Sequence, residues 1–147
     1  MIDKRHIGKV FPLHTAEVEK TALRLFAKVI GETDPVYTVE SAARAAGHRS
    51  LLTPPTFLFG LEMARPNALD WLHEIGANPA RILHGEQSFA YHRTVCAGDV
   101  ITFETHLADI YDKKNGTLEF ILRKSRATNQ VGQCVADLAT LVVHRNT

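Results

Sequence analysis

The chain has 147 residues, 45% of them hydrophobic and 22% charged, with a formal net charge of +1; this length holds one core, so we expect a single domain over residues 1–147. Lysine and arginine are spread along the chain rather than gathered into a stripe, which argues against a nucleic-acid partner. The first residues lack the apolar stretch of a signal peptide, and no apolar run approaches the ~20 residues that cross a bilayer, so we expect a cytoplasmic protein with no membrane partner.

The first predicted element is an amphipathic helix over residues 15–30. Thr15 is its expected N-cap and Gly31 its expected C-terminal stop. Apolar residues recur at the 3.6-residue spacing of a helix, which predicts that they form one face against the core. These apolar residues are Val18, Ala22, Leu25, Phe26 and Val29.

Two shorter helices are predicted after a turn that begins at Pro35, because proline keeps the preceding residue extended. The first spans residues 39–46. The second spans residues 55–63, begins with a proline and is apolar almost all round, which is typical of a buried helix. Gly60 within it is expected to allow a close approach to a sheet.

From residue 81 the pattern changes to that of long strands. Turn residues at 113–116 and 129–132 predict tight reversals between them. Helices followed by antiparallel strands predict an α+β domain in which a curved sheet wraps around the helix at 55–63, the hot-dog architecture. Such domains normally pair edge to edge, so that two sheets become continuous. The predicted strands are residues 81–92, 100–112, 117–129 and 133–144.

The cysteines and histidines show no spacing typical of a metal site. Cys96 and Cys134 are far apart in sequence, which favours free thiols. The eight histidines show no H-x-x-x-H or comparable pattern, so we expect neither a metal nor another cofactor. His48, His84 and His92 are candidates for a general base that has moved from its usual position.

Three segments carry a resemblance to a known family: Gly31-Glu32-Thr33-Asp34-Pro35-Val36-Tyr37, Leu51-Leu52-Thr53-Pro54-Pro55-Thr56-Phe57 and Arg93-Thr94-Val95-Cys96-Ala97-Gly98-Asp99. They resemble the MaoC-like and FAS1-like dehydratase N-terminal domain family. The resemblance covers most of the chain and is strongest to the small subunits of mycobacterial-type hydroxyacyl dehydratases and to the N-terminal half of two-domain hydratases. It implies a hot-dog domain that acts on acyl thioesters of coenzyme A or acyl carrier protein, by (R)-3-hydroxyacyl dehydration or enoyl hydration.

The chain departs from the family pattern at its chemical positions. Active members carry G-D-x-N-P-x-H, with a glycine eighteen residues after the histidine; here Glu32, Asp34, Tyr37 and Pro55 stand at the Asp, Asn, His and Gly positions. In the family the Asp/His pair supplies the acid and base, and the glycine N–H binds the thioester oxygen. Tyrosine, with an ordinary pKa of about 10, is a poor base near neutrality, and proline has no N–H to donate.

Because a lost oxyanion donor costs about 2.7–4 kcal/mol and a lost base about 10²–10⁴ in rate, the family mechanism should be impaired in this chain alone. Similar small subunits form heterodimers in which one subunit has lost the Asp/His pair. The resemblance therefore implies a subunit that keeps the acyl groove and works with a MaoC-like partner, in a homodimer or a heterodimer, that supplies the pair.

Two other functions stay open. One is a self-sufficient homodimeric hydratase or thioesterase with a rebuilt site, and the other is a non-catalytic module that binds acyl thioesters. Basic residues 123, 124 and 126 are either contacts for coenzyme A phosphates or the acidic face of a carrier protein, or simply a solvated face. The candidate catalytic residues are Glu32, Asp34 and Tyr37, and the candidate substrate-binding residues are Pro55, Thr56 and Phe57.

Overall fold

The computed structural model describes residues 1–146, which form five strands, four short α-helices and three 3₁₀ turns. The strands are β1 (His14–Glu17), β2 (Ile82–Tyr91), β3 (Val100–Lys113), β4 (Leu118–Thr128) and β5 (Cys134–Arg145). The helices are α1 (Lys20–Val29), α2 (Glu40–Ala45), α3 (Phe57–Met63) and α4 (Asp70–Glu74), and the 3₁₀ turns are Lys4–His6, Pro35–Tyr37 and Pro79–Arg81.

The five strands form one antiparallel sheet in the order β1-β3-β4-β5-β2. All four strands predicted from residue 81 onward are confirmed, with ends that differ by at most one residue. Strands β3, β4 and β5 alternate buried and more exposed residues over most of their length, as expected for a sheet with one face on the core. Strands β1 and β2 are the two edges of the sheet.

The N-terminal helix begins at Lys20 and not at the predicted Thr15. Thr15 lies in β1, opposite Thr102 of β3, and the hydroxyl oxygens of the two threonines are 2.9 Å apart. Pairing with β3 satisfies the backbone of residues 14–17, and this long-range interaction overrides the local helical pattern. The predicted N-cap is therefore wrong.

The predicted apolar face of α1 is only partly the buried one. Leu23 and Ala27 are fully buried, whereas Leu25 and Val29 are 62% and 74% exposed. The buried stripe is rotated away from the predicted one because Leu23, absent from the predicted face, is the residue directed to the core. Leu25 and Val29 instead line a groove of about 600 Å³ between α1 and α3.

Helix α3 begins at Phe57 and packs on the sheet with one face. Phe57, Leu58 and Leu61 are buried, and the Phe57 ring contacts that of Phe26 edge to face at 5.4 Å. Gly60 is exposed, and a Cβ atom built on it meets no atom within 4 Å. The predicted buried helix is confirmed, although it begins at Phe57 and not at Pro55. The prediction for Gly60 is wrong, because this residue does not serve a close approach to the sheet.

The sheet-facing side of α3 carries a buried carboxylate, that of Glu62, which is 1% exposed. It accepts hydrogen bonds from the hydroxyls of Thr105, at 3.0 Å, and Ser125. The Arg123 guanidinium approaches it to 3.5 Å and lies over the Trp71 ring at 4.7 Å from the centroid. Arg123 is therefore a buried partner of Glu62, and its suggested contact with a ligand phosphate is wrong.

Both predicted reversals are present. Lys114, Asn115 and Gly116 have φ values of 53°, 54° and 79°, the conformation that Asn-Gly tolerates best. In the second turn, the Asn129 side chain accepts hydrogen bonds from two backbone N–H groups further along the chain. Among residues 1–146, no helix has the length and apolar character that crossing a membrane would require.

Removal of the Glu62 carboxylate should destabilise the fold strongly. Glu62→Ala leaves the Arg123 guanidinium buried and unpaired, which typically costs about 3–5 kcal/mol, measured as the free energy of unfolding in urea. Glu86→Ala, on the exposed edge strand, is the matched control and should change stability by no more than about 0.5 kcal/mol. Equal effects of the two substitutions would contradict a structural role for Glu62.

Candidate functional site

A pocket of about 360 Å³ lies beside the N-terminal end of α3, and we refer to it as the Tyr37 pocket. Its walls come from the 3₁₀ turn at 35–37, the segment that leads into α3, α3 itself and the chain that follows β2. The lining residues are Tyr37, Leu52, Thr53, Pro55, Leu58, Tyr91, His92, Arg93, Thr94 and Val95.

Backbone hydrogen bonds hold the walls of the Tyr37 pocket together. The Leu52 N–H donates to the Val36 carbonyl at 3.1 Å, and the Thr53 N–H donates to the Val95 carbonyl at 2.9 Å. The segment 51–57 is thus bound on one side to 31–37 and on the other to 93–99. The three segments that carry the sequence resemblance meet at this one place.

Tyr37 and Pro55, the residues at the family's His and Gly positions, both line this pocket. Burial raises the pKa of the Tyr37 hydroxyl above its ordinary value, and the nearby carboxylates of Glu32 and Asp34 raise it further. Near neutrality Tyr37 is therefore an uncharged hydrogen-bond donor, and its basic phenolate form is even less populated than in a free tyrosine. Pro55 offers no N–H at the other wall.

Glu32 and Asp34 are used by the backbone of their own turn. Glu32 Oε1 accepts hydrogen bonds from the N–H groups of Thr33 and Asp34 at 2.8 and 2.9 Å. Asp34 Oδ1 accepts from the Val36 N–H at 2.9 Å and caps the 3₁₀ turn. Neither side chain lines the Tyr37 pocket, so both act on it through their charge and the turn that they shape.

The candidate substrate-binding residues divide among three environments. Pro55 lines the Tyr37 pocket, whereas Thr56 is exposed just before α3. Phe57 is 7% exposed and belongs to the hydrophobic core, where it also lines the groove between α1 and α3. Of the three, Pro55 alone lies at the Tyr37 pocket.

The pocket also contains polar groups that sequence reasoning missed. Burial raises the pKa of Tyr91 to about 12, so its hydroxyl is a second neutral donor. Thr53 Oγ1 is buried without a hydrogen-bond partner among residues 1–146. Arg93 provides a cation at the exposed rim. Tyr91 lies one residue before the end of the predicted strand 81–92, which leads into a resemblance segment. This position was the available signal for it.

Of the three histidines suggested as a relocated base, His92 lines the Tyr37 pocket. Its Nε2 atom lies 2.8 Å from Asp137 Oδ2, and the hydrogen bond with His92 lowers the pKa of Asp137. His84 instead bonds the Glu86 carbonyl and packs on Phe59. His48 is half-buried after α2, away from the pocket lining.

A family model described as "FAS1-like, dehydratase domain region" matches residues 5–138. The chain belongs to this family. A "UPF0336 protein" of Saccharopolyspora erythraea is 32% identical over 147 residues, covering 99% of this chain and 93% of the relative. A "UPF0336 protein" of Streptomyces griseus is 30% identical over 145 residues, covering 98% and 95%. The family predicted from the three sequence segments is therefore confirmed.

Solved structures place this member of the FAS1-like dehydratase family in the hot-dog fold. A "MaoC-like dehydratase" superposes with a TM-score of 0.84 at 23% identity, covering 95% of this chain and 42% of that one. The HadBC (3R-hydroxyacyl-ACP dehydratase) complex of Mycobacterium tuberculosis gives 0.77 at 24% identity, covering 93% and 96%. The ChsH1-ChsH2 complex of the same organism gives 0.70 at 18%, covering 95% and 98%. The predicted hot-dog architecture is confirmed.

The raised pKa of Tyr91 should make stability fall in strongly alkaline solution. Folded Tyr91 keeps its proton up to about pH 12, whereas an unfolded tyrosine loses it near about pH 10. The folded state binds more protons in this window, so stability is lost as pH rises through it. In a titration of phenolate absorbance, Tyr91→Phe should lose the component near pH 12, and Tyr111→Phe should keep it. Persistence of that component in Tyr91→Phe would disprove the assignment.

Proposed function

We propose that this chain is a cytoplasmic acyl-thioester-binding subunit of a hydratase or dehydratase, with residues 1–147 acting as one MaoC-like domain. It binds an (R)-3-hydroxyacyl or enoyl thioester of coenzyme A or acyl carrier protein in the Tyr37 pocket. A MaoC-like partner supplies the Asp/His pair. The observation that carries the proposal is the position of Tyr37 and Pro55 on the walls of one pocket, where the family has its base and its oxyanion donor.

The lining of the Tyr37 pocket suits an acyl thioester. Leu52, Pro55 and Leu58 give it apolar walls for the acyl carbons, and the hydroxyls of Tyr37 and Tyr91 are neutral donors for a carbonyl oxygen. Among the lining residues, Arg93 provides a cation at the exposed rim, where the phosphates of a coenzyme A or phosphopantetheine arm would lie nearer to solvent.

The same geometry argues against a complete base in residues 31–37. Tyr37 is neutral over the physiological range, and the carboxylates of Glu32 and Asp34 are engaged by backbone N–H groups. A general base must reach the proton that it removes within hydrogen-bond distance. A partner that brings an intact Asp/His pair satisfies this requirement.

Strand β2 offers a surface on which that partner can assemble. It is an edge of the sheet, and Leu83, His84, Gly85, Glu86 and Ser88 along it are exposed. Edge strands present backbone N–H and C=O groups that another strand can pair with. The HadBC and ChsH1-ChsH2 structures, both described as complexes, support an assembly of two related chains.

Turnover should depend on the partner. The purified chain alone should not consume crotonyl-CoA or a longer trans-2-enoyl-CoA, measured as enoyl-thioester absorbance, because it lacks the base and the glycine N–H. Coexpression with a MaoC-like protein that has an intact G-D-x-N-P-x-H motif should give activity. If neither the chain alone nor the chain with the partner shows activity, while the chain still binds the thioester, the proposal is overturned. A binding module would then be favoured.

Glu32→Gln combined with Asp34→Asn is the control for a rebuilt site. The amide oxygens of Gln and Asn still accept the turn hydrogen bonds, so the local fold should persist while both negative charges are lost. The partner-dependent activity of the double variant should stay within about tenfold of the wild-type activity. Loss of a true catalytic acid or base would lower the rate by at least about 10²-fold. Activity of the chain alone that collapses in this variant would show a self-sufficient site.

Restoring the family motif should create activity in the chain alone. The variant Glu32→Asp, Asp34→Asn, Tyr37→His, Pro55→Gly regains the pair and the N–H donor. We expect hydration of crotonyl-CoA at least about 10²-fold above a matched variant that keeps Tyr37. A folded, thioester-binding variant without this gain would mean that the Tyr37 pocket is not the site of the chemistry.

A further inference from the structure

His92, Cys134 and Asp137 form a cluster beside the Tyr37 pocket. Their donor atoms, an imidazole nitrogen, a thiol sulfur and a carboxylate oxygen, all lie within 4.8 Å of one another. His92 and Asp137 are about half-exposed and Cys134 is partly buried, so solvent reaches the cluster. Sequence spacing did not reveal it, because Cys134 lies 42 positions after His92.

A β-bulge at Val135 brings Cys134 and Asp137 together. Residues three apart on a regular strand point to opposite faces of the sheet. Here the pairing of β4 with β5 shifts between Ala127, opposite Ala136, and Thr128, opposite Cys134, which leaves Val135 as an extra residue. Val135 and Ala136 are both buried in succession, and Cys134 and Asp137 therefore share a face.

The same bulge fixes the position of His92. The Val135 carbonyl accepts hydrogen bonds from the backbone N–H groups of His92, at 2.9 Å, and Arg93, at 3.2 Å. The bulge in β5 thus places the side chains of Cys134 and Asp137 on one face of that strand. It also anchors the backbone of His92 just after the end of β2. Bulges of this kind commonly redirect side chains next to functional sites.

We propose that His92, Cys134 and Asp137 bind a divalent transition metal of the zinc type at the mouth of the Tyr37 pocket. Thiolate and imidazole ligands favour such ions over magnesium or calcium. Three protein ligands leave one position of a tetrahedral ion open to the pocket. This site is independent of the proposed acyl-thioester function.

The distances require only small movements of the side chains. Zinc–ligand bonds of about 2.0–2.3 Å place the ligand atoms of a tetrahedral ion about 3.3–3.8 Å apart. His92 Nε2 and Asp137 Oδ2 are at 2.8 Å, the distance of a shared proton that the metal replaces. The Arg126 guanidinium, 3.5 Å from Asp137, contacts the other oxygen, Oδ1. It can orient the carboxylate from the outer shell, although its charge opposes the cation.

A histidine–aspartate pair that acts as a base without a metal uses two of the three residues. It leaves unexplained why the bulge turns Cys134 toward the same face. Cobalt(II) separates the two cases, because a thiolate bound to this ion gives a strong charge-transfer absorption in the near ultraviolet, whereas a metal-free pair gives none.

The test is a titration of the full chain, freed of metal by a chelator and kept reduced, with Co²⁺ alone. We expect the charge-transfer band to grow until one cobalt ion is bound per chain and to disappear when Zn²⁺ is added. Cys134→Ser should abolish the band, and Cys96→Ser, which changes the other cysteine, should keep it. Circular dichroism of each variant establishes that it is folded.

His92→Asn and Asp137→Asn should each lower the affinity for Zn²⁺ by more than about tenfold, because loss of an outer-shell partner alone usually costs about that much. The affinity is measured by competition with a chromophoric chelator. Absence of the band in the wild-type chain would overturn the proposal and favour the metal-free pair. A band that survives Cys134→Ser would overturn it as well, because the bound thiolate would then be Cys96.

Discussion

The hydrogen bonds from Thr105 and Ser125 to the carboxylate of Glu62 fix the position of α3 on the sheet. Apolar contacts alone are not directional and would allow α3 to slide or rotate on its layer. A buried carboxylate tolerates few positions, because its oxygens must find donors and its charge must find Arg123. Once α3 is placed, the segment that leads into it, and with it Pro55 and one wall of the Tyr37 pocket, is placed too.

The long strands and their turns were predictable because their signals are local. Buried and more exposed residues alternate along β3 to β5. The Asn-Gly pair at 115–116 needs no distant partner to adopt positive φ. The hot-dog fold followed from the order of helices and strands, and the family followed from three segments, which backbone hydrogen bonds join in the structure. Part of that pattern is structural, since Asp99 accepts from Arg49 and from the Cys96 N–H.

The features that were missed depend on contacts between distant residues. Strand β1 exists because β3 pairs with it, and the buried role of Arg123 requires Glu62, which is 61 residues away. The candidate site shows the same limit. The sequence marked Tyr37 and Pro55 as candidates, and the structure brings them to one pocket. The pairing of His92 with Asp137 could be recognised only when β2 and β5 were seen side by side.

The open edge of β2 also affects how the chain behaves before it meets another one. A ten-residue strand with exposed Leu83 and free backbone groups is a template for unwanted pairing between identical chains. Burial of that edge in an assembly makes the folded state depend on the concentration of its partner, so that thermal stability rises by mass action. Synthesis together with a chain that covers β2 would therefore protect it from aggregation.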